Sequence, residues 1–119
     1  MKPSKVLVVD DSELIHKMFR VFFRDAAVVC ALDGREALDG LARHPDVDLI
    51  ILDVNMPRMD GLEFLDKVKE DEAFSGIPVV IVSTEGEEED TIRGLEAGAA
   101  AYVKKPFQPE QLSDIVARL

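Results

Sequence analysis

Five short aliphatic runs recur along the chain, and each is followed by a stretch with helical periodicity. Lys5-Val6-Leu7-Val8-Val9 is almost uninterrupted, as a strand covered on both faces should be. Ala27 to Ala31, 48–53, 79–82 and Ala101 to Lys104 follow the same pattern. Between them, 12–24 carries Leu14, Ile15, Met18, Phe19 and Phe22 at helical spacing, and Asp11 or Ser12 is placed to cap it. A second helix starts near Gly34, buries Ala37, Leu38 and Leu41, and stops at His44-Pro45. A loop over 54–59 leads into a helix over 60–72, with Leu62, Leu65 and Val68 on one face. The fourth helix, 88–97, ends at Gly98, a C′ glycine, and the fifth begins at Pro109, a residue suited to a first turn.

Regular strand–helix alternation predicts a parallel sheet with helices on both faces, because crossover connections are right-handed. The expected architecture is α/β, a single (βα)5 flavodoxin-like doubly wound sheet with strand order 2-1-3-4-5, spanning 1–119 as one domain. With 119 residues and 47% hydrophobic content, the chain suits one compact domain with a real core. No apolar run reaches the roughly 20 residues of a membrane helix. The N-terminal segment lacks a signal-peptide layout, and the lone Cys30, read as a core residue, fits a reducing cytoplasm. A net charge of −10 disfavours direct binding to nucleic acid. The acidic run 85–90 reads as the favoured N-terminus of a helix rather than a ligand-collecting patch.

The polar residues are distributed less evenly. Four of the five strand patterns end in residues able to do chemistry: Asp10-Asp11, Asp53, Ser83-Thr84 and Lys104-Lys105. In a parallel sheet these C-terminal ends share one edge, and the expected strand order puts the topological switch point between strands one and three. Asp10, Asp11 and Asp53 would converge there. Two unit charges 4 Å apart repel by about 1 kcal/mol in water and about 4 kcal/mol at an effective dielectric near 20, so the cluster needs a cation, a proton or a cationic side chain. A few hard oxygen ligands suit Mg²⁺. With a nearby ammonium from Lys105 and a hydroxyl from Ser83, the set describes phosphoryl transfer to a carboxylate.

These residues resemble the response regulator receiver family, CheY-like, over essentially the whole chain. The resemblance rests on V-V-D-D-S at 8–12, L-D-V-N-M-P-R-M-D-G at 52–61, V-S-T-E at 82–85 and Y-V-K-K-P-F at 102–107. The intervals also match: 43 positions from Asp10 to Asp53, 30 more to Ser83, and 52 from Asp53 to Lys105. It implies that Asp53 is the phosphoacceptor, and that Asp10, Asp11, Asp53 and the backbone carbonyl of Asn55 bind Mg²⁺. Ser83 then matches the switch hydroxyl, Tyr102 the switch aromatic, and Lys105, next to Pro106, the phosphoryl-contacting lysine, ahead of Lys104. The family's Lys–Pro peptide is usually cis. Asn55, Glu85 and Thr84 fall at positions that modulate the lifetime of the acyl phosphate, although Thr84 is bulkier than the residue usual there.

The resemblance implies a two-component signalling role rather than turnover chemistry. The partners it implies are a sensor histidine kinase as phosphodonor, a phosphatase, and a downstream target or an output domain outside this chain. Ala99-Ala100-Ala101 stands where many DNA-binding members carry an acidic pair, which points toward a stand-alone receiver. The alternative is a haloacid-dehalogenase-type phosphatase, which shares an Asp nucleophile and Mg²⁺. That superfamily has a second Asp two residues after its nucleophile; this chain has Asn55 there. His16 and His44 read as surface residues, and Met56 and Met59 as loop packing.

Overall fold

The strand and helix patterns condense into a five-stranded parallel sheet in the order β2-β1-β3-β4-β5, the predicted order. The computed structural model describes residues 1–54, 61–84 and 86–119. Its elements are β1 (Lys5–Val9), α1 (Glu13–Phe22), β2 (Ala27–Ala31), α2 (Gly34–Arg43), β3 (Leu49–Asp53), α3 (Gly61–Glu70), β4 (Val79–Ser83), α4 (Glu88–Glu96), β5 (Ala101–Lys104) and α5 (Pro109–Ala117). Asn55, Glu85, Met56 and Met59, which carried sequence-based expectations, lie outside the described residues.

Because strand side chains alternate between faces, each central strand feeds two cores. Leu7, Val9, Ile50 and Leu52 pack with Ala37 and Leu41 of α2 and with Phe64, Leu65 and Val68 of α3. Val6, Val8, Leu49, Ile51, Val80 and Val82 turn the other way, toward Phe19 of α1 and Leu112 and Val116 of α5. This two-sided burial is why β1, β3 and β4 read as continuous aliphatic runs. No helix among the described residues is long and apolar enough to cross a membrane.

The helix ends follow from local chemistry. Ser12 caps α1 by accepting from the Ile15 N–H at 3.3 Å, and Asp33 caps α2 through the Glu36 N–H at 2.9 Å. Gly98 closes α4 at φ +115°, a conformation that favours glycine. Pro109 opens α5 next to a reciprocal Gln108–Gln111 capping box.

Four expectations need correction. His16 is buried, not on the surface, because two backbone carbonyls satisfy its ring. Leu14 and Met18 face solvent, since the buried stripe of α1 runs through His16 and Phe19 to Phe23 at its C-cap. Cys30 is only partly buried, because β2 is an edge strand covered less fully than its neighbours. His44 is half-buried, with Nδ1 3.4 Å from the Lys5 ammonium.

Candidate functional site

Register decides which strand ends meet. Val9 lies opposite Leu52, Asp53 opposite Val82, and Ser83 opposite Lys104. The residues just past β1, at the end of β3, at the end of β4 and just past β5 therefore share one edge. Asp10 and Asp53 are buried there, and Asp11 is exposed at the rim. Carboxylate oxygens of Asp10, Asp11 and Asp53 all lie within 4.8 Å of one another. Three oxygen donors from three carboxylates, two of them buried, fit a hard divalent cation and offer nothing to a soft one.

Asp10 is held on every side. Its amide donates to the Ala31 carbonyl at 3.0 Å, and its own carbonyl accepts from His16 Nε2 at 2.8 Å. Oδ1 accepts from the Ser12 amide at 3.0 Å, and Oδ2 from Lys105 Nζ at 3.2 Å. The ammonium of Lys105 thus offsets part of the charge of the carboxylate cluster.

Lys105 reaches this position because its backbone is tied on both sides. Its amide donates to the Ser83 carbonyl at 2.6 Å, the Lys105–Pro106 peptide is cis, and Phe107 stacks on Phe19 of α1 with centroids 6.2 Å apart. Lys104 points elsewhere and pairs with Glu88 of α4 at 3.1 Å. Glu88 is held below the usual carboxylate range by its own backbone N–H, then by Lys104 and the Gly86 amide.

Ser83 is buried at the end of β4. Thr84, exposed beside it, turns its hydroxyl toward Glu87, 2.7 Å away, and its amide donates to the same oxygen at 2.6 Å. Tyr102 is 50% exposed and rims a cavity of about 330 Å³, also lined by Ser83, Thr84, Thr91, Ile92 and Leu95. The structure thus gathers Asp10, Asp11, Asp53 and Lys105, puts Ser83 at the next strand end, and sets Tyr102 apart across that cavity.

Residues 6–117 match the response regulator receiver domain family. The chain belongs to that family. A chemotaxis protein CheY homolog of Campylobacter jejuni is 37% identical, with 92% of this chain and 87% of the relative aligned. Response regulator Rre1 of Synechocystis is 36% identical over 99% of this chain, which spans only 52% of that relative's length. The solved chemotaxis response regulator CheY4 of Vibrio cholerae superposes with a TM-score of 0.86 at 38% identity, covering 97% of each chain. This receiver is a module of two-component signalling, and receiver domains characteristically bind Mg²⁺.

Sequence reasoning missed two residues that lie against the backbone of the candidate site. Gly61 sat inside a quoted motif without a role, yet a Cβ there would stand 2.5 Å from the Asp53 carbonyl oxygen. His16 was assigned to the surface. The signal that could have placed it is its position three residues before Phe19 and seven before Phe23, on the face that α1 buries.

Proposed function

We propose that Asp53 accepts a phosphoryl group from a phosphohistidine of a sensor histidine kinase, with 1–119 acting as a single receiver unit in the cytoplasm. The observation that carries this reading is the convergence of three carboxylates and Lys105 on one sheet edge, at the switch point between β1 and β3. A carboxylate oxygen of Asp53 attacks phosphorus; the P–O bond forms, the N–P bond breaks, and the departing imidazole takes up a proton. Asp10, Asp11 and Asp53, with the backbone carbonyl of Asn55, would hold Mg²⁺, which supplies charge neutralisation for the phosphoryl oxygens. Lys105 leaves Asp10 to steady the transferred group, and the Ser83 hydroxyl donates to it.

The acyl phosphate then draws Ser83 and the β4–α4 loop inward, and Tyr102 turns from solvent into the cavity beside it. The face made by α4, β5 and α5 changes shape, and a downstream target or output domain reads that face. A full reversal from 1:99 to 99:1 needs about 5.5 kcal/mol of preference for the active state, within reach of a few charge-assisted contacts. Asn55, Glu85 and Thr84 set how fast water, or a phosphatase, removes the group. No turnover of external phosphomonoesters is part of this reading.

The test is incubation with Mg²⁺ and either acetyl phosphate or beryllofluoride. Wild type should gain label or shift its amide resonances, and Asp53→Asn should do neither. Equal labelling of both proteins, or steady hydrolysis of a phosphomonoester, defeats the proposal and favours an Asp-nucleophile phosphatase.

A further inference from the structure

The Asp10 carboxylate can serve a cation only if the peptide that carries it is held still. Asp10 lies just past β1, beyond the last ladder pair of β1 with β2, Val9 with Ala31. The Asp10 amide donates to the Ala31 carbonyl at 3.0 Å, and Asp10 lies beyond the last paired residue of the strand, so its carbonyl calls for a donor from outside the ladder pairs described. His16, one turn into α1 and 5% exposed, supplies one.

Its Nε2 lies 2.8 Å from the Asp10 carbonyl oxygen and 3.2 Å from that of Ala31. Both partners are acceptors only, so this nitrogen must carry the proton and donate to both. One imidazole thereby ties together the ends of β1 and β2 and the start of α1. The clasp completes the hold on Asp10, whose two carboxylate oxygens are aimed by the Ser12 amide and Lys105 Nζ.

We infer that His16 is a positioning residue of the metal site, its Nε2–H fixing the Asp10 peptide so that the Asp10 carboxylate faces the cation. This rests on the reading that Asp10, Asp11 and Asp53 bind Mg²⁺. Outer partners of metal ligands commonly carry about 10- to 100-fold in metal affinity, which sets the scale expected here.

The test is an Mg²⁺ titration followed through the Asp10 and Asp53 amide resonances of wild type, His16→Leu, His16→Gln and Phe23→Leu. His16→Leu fills the space without a donor and should raise the Mg²⁺ dissociation constant about 10-fold or more. His16→Gln restores an N–H at similar reach and should stay within about threefold of wild type. Phe23→Leu loosens the same helix away from the clasp and should leave the constant unchanged. The inference is overturned if His16→Leu binds like wild type, if His16→Gln is as weak as His16→Leu, or if Phe23→Leu weakens binding equally. Should His16→Leu not fold, the wild-type imidazole spectrum still decides, because an Nδ1–H tautomer contradicts the clasp. Wild type that binds no Mg²⁺ at these amides overturns the metal reading itself, and His16 with it; wild-type binding with an indifferent His16→Leu overturns His16 alone.

Discussion

Lys105 Nζ donates to Asp10 Oδ2 across 3.2 Å, joining residues 95 positions apart in the chain. The Lys105 side chain is largely covered and that of Asp10 almost wholly so, which lifts this pair above the weak surface class. The same ammonium that is proposed to meet the phosphoryl group holds one of the carboxylates proposed to bind metal. Lysine and divalent cation therefore compete for the same charge.

That competition fixes the behaviour of Lys105→Met. Without metal, removing the ammonium leaves three neighbouring carboxylates less well balanced, and stability should fall by about 2 kcal/mol. With saturating Mg²⁺ about half of that loss should vanish. Removing a nearby positive charge should also tighten Mg²⁺ binding about fivefold, equivalent to about 1 kcal/mol. Urea denaturation with EDTA and with Mg²⁺, for both proteins, measures each quantity. A loss of stability that is the same in both buffers would sink this account.

Gly61 controls the other end of the cluster. A Cβ at this position would lie 2.5 Å from the Asp53 carbonyl oxygen and 2.7 Å from the Val54 Cα, and backbone atoms cannot rotate away. Gly61→Ala should cost about 2 kcal/mol as an overpacking substitution. By displacing Asp53 it should slow labelling by acetyl phosphate by up to about a hundredfold. Gly40→Ala is the contrast: its Cβ would meet Leu7 Cδ1 at 3.6 Å and Val29 Cγ1 at 3.7 Å, ordinary contacts inside α2. It should stabilise the protein by up to about 1 kcal/mol through helix propensity. The two variants can be compared by thermal melting and a single labelling time course, and equal effects would refute the argument.

The contrast between these glycines shows what a sequence carries and what it does not. The central strands were legible because two-sided burial demands aliphatic residues at every position, and Val6 to Val9 display that demand openly. Asp10, Asp53 and Lys105 were legible because a parallel sheet sends every strand's C-terminus to one edge. The partners of His16 were not, since they are backbone carbonyls, and every residue has one. Cys30 was misplaced because its burial depends on β2 lying at the sheet edge, a matter of assembly rather than of local pattern. Leu14 and Met18 have the spacing of a buried face, but Phe19 and Phe23 claimed the core.

Acid titration separates the forces on Glu88. Its folded pKa is depressed, first by its own backbone N–H, then by Lys104 and the Gly86 amide. A group of this kind binds fewer protons folded than unfolded, so its stabilisation is present above the ordinary carboxylate range and is lost as pH falls through the lowered folded value. Lys104→Met should move Glu88 part of the way back and no further, because the backbone donors remain. Added salt should weaken the lysine's share while leaving the backbone share. Carboxyl carbon shifts of Glu88 followed against pH report both, and full reversion in Lys104→Met would show that the lysine acts alone.

Thr84 and Glu87 hold the loop that the proposed switch must move. The Thr84 amide and hydroxyl converge on one Glu87 carboxylate oxygen, at 2.6 and 2.7 Å, directly after Ser83. Any inward movement of this loop has to break or carry that clasp. Glu87→Ala removes the acceptor for about 1 kcal/mol of hydrogen bonding, so amide exchange at Thr84 should quicken about fivefold with little change in global stability. If the clasp favours the resting state, the variant should also need less beryllofluoride for half-saturation of the Tyr102 shift. Unchanged exchange at Thr84 would show that the clasp does not restrain the loop. Faster exchange with an unchanged beryllofluoride midpoint would show that both states keep it equally, because a contact made equally in two states shifts neither.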